Sequence, residues 1–405
     1  MKEKAPPKGE DPVTALGTHL LSLLSGKDRV ELEKFEMEIK ELELWFTPGN
    51  PVAATPHASP QLPVELLPES FVPSREEFPG RIREVTLGAT AKEGGTRSHA
   101  ITIGGATAPA YWYDLSLPRK PVIALDVFDM EIPLPRPLKE HVADVMGDPA
   151  AWARRNVEQF GAEVVTVHLM STDPLIKDTS PASAAKTVEE ILQAVKVPLI
   201  IGGCGDPKKD AQVFARVAEM ASGERLLLNS VTLDMAQAQT LETVAGAARD
   251  HGHLLLAFTG LDLNSAKELN RRLYQFVPPE QIVMDLTTAA LGYGLEYSFT
   301  IHERARMSAL KGDTELQHPT VSGSTNAWAA REAWMTLDPR YGPREIRGPL
   351  WESVTALSLL LAGLDLIMMM HPAAVQTVRE TTANLLSPGK SRSEQSDAWV
   401  RTVME

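Results

Sequence analysis

"PLIIGGCGDPKKDAQVFARVAEMA", residues 198–221, holds in one unit the pattern that sets the fold. A short apolar run ends at Gly202 and Gly203. Asp206 then stands where a helix N-cap is wanted, Pro207 takes the first helical position, where its missing N–H costs nothing, and an amphipathic segment follows. The unit reads as strand, glycine turn, helix.

Seven further runs of the same buried-strand type follow or precede it: "VIALDVF" (122), "VVTVHLM" (164), "RLLLNS" (225), "HLLLAFT" (253), "QIVMDLT" (281), "PTVSGS" (319) and "LDLIMMM" (364). They alternate with amphipathic segments, of which "DPAAWARRNVEQFG", "SAAKTVEEILQAV" and "LNSAKELNRRLYQF" open on Asp, Ser or Asn. Eight β-α pairs over about 265 residues, with strands apolar on both faces, predict an α/β chain with a (β/α)8 TIM barrel at 121–390. A doubly wound open sheet is the alternative, but it would usually stop at about five or six strands.

Upstream, "RIREVTLG" and "HAITIGG" read as an N-terminal β-hairpin joined by the glycine-rich "ATAKEGGTRS", the lead-in at 81–120. Residues 47–80 carry a proline every few positions and read as a linker. In 1–46, "VTALGTHLLSLL" has helical spacing and "RVELEKFEMEIKELELWF" alternates with period two, so a small α+β appendage is expected there. Residues 391–405 form a C-terminal tail.

The formal net charge of -13 argues against sequence-independent nucleic-acid binding, which depends on Lys and Arg neutralising phosphates. No apolar run approaches the roughly 20 residues needed to span a bilayer, and "MKEKAPPKGEDP" lacks the apolar core of a secretory signal, so no membrane association and a cytoplasmic location are expected. A single cysteine, Cys204, excludes a disulfide framework and a cysteine-ligated iron-sulfur cluster within the chain.

In a barrel of this kind function sits at the carboxyl ends of the strands. Those ends carry Asp126, Asp129, His168, Gly202, Gly203, Asn229, Ser230, Thr259, Asp285, Ser322, Ser324 and His371. A strand-end Asp or Ser also serves as a helix cap, and His168 between apolar neighbours also fits a satisfied core histidine. "IGGCG" is too short for a dinucleotide fingerprint, yet its backbone N–H groups suit an anionic or amide-bearing ligand. Cys204 has no evident base partner and reads as a structural thiol. The histidines are scattered and no metal site is expected; Walker, H-E-x-x-H and G-x-S-x-G motifs are absent from the sequence. In "TTAALGYGLEYSF" (287–299), Gly292 and Gly294 permit a tight turn and close approach around Tyr293, whose ring offers a flat apolar face with one polar tip.

"GGTRSHAITIGG", "ALDVFD", "DPAAWARRNVEQFGAEVVTVHLMSTDP", "VPLIIGGCGDPKKD", "LDLNSAKELN", "IVMDLTTAALGYGLEYSFTIHERARMSALKGD", "RGPLWE" and "DLIMMMHPAAV", in order over about residues 82–376, resemble the small, or delta, subunit of the corrinoid/iron-sulfur protein of the acetyl-CoA decarbonylase/synthase (CO dehydrogenase/acetyl-CoA synthase) system. The resemblance implies a barrel that pairs with a large (gamma) subunit, a cobamide at the interface between the two, and an iron-sulfur cluster on the partner only. It further implies a methyl group passing from methyltetrahydrofolate, or a related methylpterin, through a methyltransferase to acetyl-CoA synthase in the reductive acetyl-CoA (Wood-Ljungdahl) pathway. The chain is then a non-catalytic or methyl-carrier subunit, with no catalytic residue and with Asp126, His168, Gly202, Gly203, Asn229, Ser230, Thr259, Asp285, Thr287, Gly292, Tyr293, Gly294, Ser322 and His371 as cofactor contacts. Holding a large amide-fringed macrocycle calls for strand-end hydrogen-bonding groups and shape more than for acid-base pairs.

Two departures from the family pattern stand out: Leu286 replaces the proline expected after Asp285, and the first 80 residues exceed the bacterial small subunit. Two rivals stay open. "LLLNSVT", ending near Asn229, looks similar to the pterin-contacting strand of pterin-binding TIM-barrel methyltransferases, and Asn229, Asp126 and Asp285 would then bind a methylpterin. The other rival is a purely structural subunit. His371 is in principle a cobalt ligand, although a strand-end histidine more often caps the next helix.

Overall fold

The computed structural model describes residues 76–110 and 118–386. The chain divides into Met1–Pro73 and Ser74–Glu405. The expected appendage at 1–46, nearly all of the linker and the tail at 391–405 lie outside the described residues.

Eight parallel strands close into a barrel: β3 (Val122–Phe128), β4 (Val164–His168), β5 (Leu199–Gly202), β6 (Leu227–Val231), β7 (Leu254–Phe258), β8 (Ile282–Asp285), β9 (Thr320–Gly323) and β10 (Leu366–Met369). Closure is by β10 on β3, with Leu366 opposite Val122 and Met369 opposite Leu125. That pairing excludes the open-sheet alternative. Helices alternate with the strands: α1 (Arg136–Val142) and α2 (Pro149–Glu158) follow β3, α3 (Pro181–Ala194) follows β4, and α4 (Pro207–Met220) follows β5. After β6 come α5 (Leu233–Gln237) and α6 (Leu241–His251); α7 (Leu263–Leu273), α8 (Leu295–Leu310), α9 (Arg344–Leu361) and α10 (Pro372–Leu385) follow the last four strands.

Each strand is apolar on both faces because both are covered. Val122, Ala124, Val164, Ile200, Leu227 and Val283 fill the barrel interior, while Leu125, Val127, Val165, Val167 and Ile201 meet the helices. Alternation along β3 and β4 therefore continues the inward set to Asp126, Thr166 and His168 at the carboxyl end. The opposite end is stopped by an antiparallel hairpin, β1 (Glu84–Leu87) with β2 (Ile101–Gly104), whose Val85, Leu87 and Ile103 join the interior cluster.

The connection inside this hairpin is fastened from within. Arg97, its side chain fully buried, pairs with Glu224 at 2.8 Å and donates to the carbonyls of Leu192 and Val195, closing the end of α3. On the other rim, Glu352 of α9 is fully buried and accepts the N–H groups of Met370 and His371, at 2.6 and 3.0 Å, so α9 holds the exit of β10.

Helix starts follow capping rules, with two differences from the sequence reading. Asp148 and Asp206 cap α2 and α4 ahead of proline. The cap of α3 is Ser180 with Pro181, three residues before the expected Ser183, and the cap of α7 is Asp262, upstream of Asn264. Ser183 and Asn264 instead supply N–H groups to those caps. Among the described residues no helix is long and apolar enough to cross a membrane.

Arg97→Ala leaves Glu224 with an uncompensated, mostly buried carboxylate, and the expected cost is about 3–5 kcal/mol in urea unfolding. A second expectation concerns pH. Burial pushes the Glu352 carboxyl up to about 7 from an ordinary 4.5. Between those values the unfolded chain releases a proton that the folded chain keeps, so this group's contribution falls as pH rises from 4.5 through 7. Glu352→Gln is expected to flatten that part of the stability profile, measured as unfolding free energy at pH 4.5 and 7.5 relative to wild type.

Candidate functional site at the carboxyl rim of the barrel

Chain closure gathers the strand-end residues onto one rim. On the β3–β4 side, the Asp126 carboxylate faces inward, 2% exposed. Its Oδ2 accepts from the Thr325 hydroxyl, and its Oδ1 lies 3.4 Å from His168 Nε2. Neither Oδ1 nor Nε2 makes a hydrogen bond, and both are shielded from solvent. The His168 ring stacks on Phe128, centroids 4.8 Å apart at 21°. It also lies over Gly202, where a Cβ would come within 3.1 Å of Nδ1. His168 is therefore not a satisfied core histidine. Asp129 is engaged elsewhere, its carboxylate accepting the N–H and hydroxyl of Ser171, and burial raises its pKa.

The glycine turn after β5 corrects the expectation of an open N–H nest. Asp210 Oδ1 and Oδ2 accept the Cys204 and Gly205 N–H groups at 2.8 Å each, and Gly203 N–H goes to the Asn229 carbonyl at 2.9 Å. The chain's own carboxylate fills the nest, and a Cβ on Gly203 would strike it at 2.4 Å. Gly202 and Gly203 thus shape the rim, leaving the N–H groups of residues 203–205 no capacity for an anion. Cys204 also donates its thiol to Asp210, and burial pushes its pKa up, which suits a structural thiol.

Asn229 and Ser230 follow, half-buried, where β6 carries a register irregularity and a cis peptide joins the two. No hydrogen bond from the Asn229 side chain occurs among the described residues. On the far side, Asp285 and Thr259 are joined through Thr287: its N–H donates to Asp285 Oδ1 at 2.8 Å and its hydroxyl to the Thr259 carbonyl at 2.9 Å. Burial pushes Asp285 up to about 7. The Thr259 hydroxyl is buried without a partner. Thr287 sits at φ 81°, a left-handed conformation costly for a β-branched residue.

Beyond it the loop turns at Gly292 and Gly294, φ 77° and 104°. A Cβ on Gly292 would meet nothing within 4 Å, so the backbone angle, and no close approach, demands glycine there. Tyr293 is 54% exposed, with its hydroxyl donating to Glu332 at 2.9 Å, and Tyr297 beside it is 64% exposed. Two other candidates are committed internally. Ser322 is fully buried and bonded to Thr288 and Ser324, tying two loops together. His371 caps α10: Nδ1 accepts the Ala373 N–H at 3.1 Å, and the ring stacks on Trp328. With Nδ1 occupied the neutral ring carries its proton on Nε2, which removes the lone pair a metal would need.

Sequence reading missed Phe128, Thr325 and Glu352. Phe128 was accessible through period two from Asp126; Thr325 reaches Asp126 from 199 positions away, and Glu352 reaches the exit of the last strand from the preceding helix, 18 and 19 positions before its partners, and neither leaves a local signal.

A sequence model of the family described as CO dehydrogenase/acetyl-CoA synthase delta subunit matches residues 84–347. Acetyl-CoA decarbonylase/synthase complex subunit delta of Archaeoglobus fulgidus is 51% identical over 328 residues, 79% of this chain and 72% of that one. The protein of the same description from Methanocaldococcus jannaschii is 41% identical over 394 residues, covering 94% and 96% of the two chains. Among solved structures, dihydropteroate synthase from Stenotrophomonas maltophilia aligns with 67% of this chain and 95% of its own, at 13% identity and a TM-score of 0.45. The chain belongs to the family of the CO dehydrogenase/acetyl-CoA synthase delta subunit.

Proposed function

We propose that this chain is the small subunit of a cytoplasmic corrinoid/iron-sulfur methyl carrier, whose barrel rim forms one side of the cobamide site completed by the large subunit. The observation that carries this reading is the rim itself. It presents a buried unpartnered hydroxyl at Thr259, an unengaged amide at Asn229 and a half-exposed aromatic ring at Tyr293. Such a surface fits a wide, flat, amide-fringed ring: the aromatic face covers apolar area, and the amide and hydroxyl satisfy polar edges that would otherwise lose their water. When bound, the cobamide supplies a cobalt centre able to accept a methyl group delivered by a methylpterin-dependent methyltransferase and to yield it to acetyl-CoA synthase. Tyr293 contributes a ring fixed at its tip by Glu332, Asn229 and Thr259 contribute hydrogen bonds, and Gly292 and Gly294 set the height of the loop. The iron-sulfur cluster belongs to the large subunit, in keeping with a single cysteine here.

The rival of a pterin-binding methyltransferase draws on the same unengaged Asn229. In the intact complex, Tyr293→Ala and Asn229→Ala are each expected to release corrinoid, seen as cobalt per complex after gel filtration, and to slow methyl transfer about tenfold with subunit stoichiometry unchanged. Full retention and unchanged kinetics in both variants would assign the chain a structural role. Direct binding of methyltetrahydrofolate by the isolated chain, without corrinoid in the complex, would establish the rival.

A further inference from the structure

We infer that Asp126 and His168 act as a pair that reads the amide edge of a ligand, a carbonyl oxygen and an N–H side by side. The inference deepens the reading of the rim as a ligand platform and rests on it.

Asp126 and His168 project inward from adjacent strands, and the strand ends are tied together by Asp129 N–H donating to the His168 carbonyl at 3.1 Å. The carboxylate oxygen and the ring nitrogen are both shielded from solvent and both without a hydrogen bond, 3.4 Å apart. A buried polar atom left unpaired carries its full desolvation cost, so two side by side mark a place where a partner belongs.

The pair is held ready. Thr325 takes Asp126 Oδ2 and leaves Oδ1 as the unused acceptor. Asn156 donates to the Asp126 carbonyl at 3.1 Å. Phe128 fixes the plane of the imidazole, and the missing side chain at Gly202 gives it room. The ring edge, with the side chain 22% exposed, marks the way in from the rim.

An isolated buried carboxylate would select a cation. With an imidazole nitrogen beside it that can carry an N–H, the pair instead offers an acceptor and a donor, and its complement is a group that offers a donor and an acceptor on one edge. A primary carboxamide does so, and so does the lactam edge of a pterin ring. The hydroxyl of Thr166, buried and unpartnered on the same inward face as His168, is available to either.

The test uses the full chain in its complex with the large subunit, stripped of corrinoid and titrated with cyanocobalamin and with its monocarboxylic acid derivative, and separately with methyltetrahydrofolate. Asp126→Asn turns the acceptor into a donor at nearly constant shape; His168→Phe keeps the stack and removes the nitrogen. Each is expected to weaken one probe by roughly ten- to hundredfold, with the double variant no worse than the more damaging single one, because a two-point contact fails as a unit. Loss for cyanocobalamin identifies a carboxamide arm of the macrocycle as the source, and loss for methyltetrahydrofolate identifies the pterin edge; both support the inference. Wild-type affinity for all probes in both variants overturns it. If Tyr293→Ala and Asn229→Ala still release corrinoid in that case, the platform reading survives alone. Should either variant misfold, the 15N shift of His168 Nε2 in the wild-type complex decides: it moves on addition of a probe if the pair reads it, and a fixed shift with every probe overturns the inference.

Discussion

Everything at the rim depends on one set of backbone hydrogen bonds, those pairing β10 with β3. They join residues about 240 positions apart, and because the strands are parallel and in register they bring every carboxyl end to the same side. The hairpin completes the arrangement at the other side. With Val85, Leu87 and Ile103 stopping the interior from below, only the carboxyl end is left for polar groups.

That geometry explains an unusual concentration of buried acid. Asp126, Asp285 and Glu352 stand on or beside the rim, and burial, resisted by backbone N–H donors, holds Asp285 and Glu352 near neutrality in their pKa. Each has a different partner set. Glu352 is spent on the backbone of Met370 and His371, Asp285 on Thr287, and Asp126 on Thr325 with one oxygen left over. The same carboxyl chemistry thus serves as a fastener twice and keeps one oxygen unpaired once, and only the local hydrogen-bond inventory separates these cases.

The pairing of chain segments also decides which candidates are free. Gly203, Ser322 and His371 carry strand-end chemistry, yet each is engaged by a residue from another loop or by the helix that follows. Asn229, Thr259 and Tyr293 keep groups unspent or exposed. A strand-end position in the sequence signals placement on the rim and is silent about whether a neighbour has already claimed the side chain.

Local chemistry was legible in the residues themselves. The eight apolar runs, the Asp-Pro helix starts, the two glycines around Tyr293 and the hairpin all follow from rules acting over a few positions, where propensity, capping and φ are decided. Even here, the caps of α3 and α7 shifted upstream because Ser180 and Asp262, at the ends of their loops, reach the first free N–H groups before Ser183 and Asn264 can. The closed barrel, the contact of Asp126 with His168 and Thr325, the filling of the glycine nest by Asp210 and the burial of Glu352 were settled only by tertiary structure. They depend on distances across the chain, and distance in space is the quantity that periodicity along a sequence does not contain.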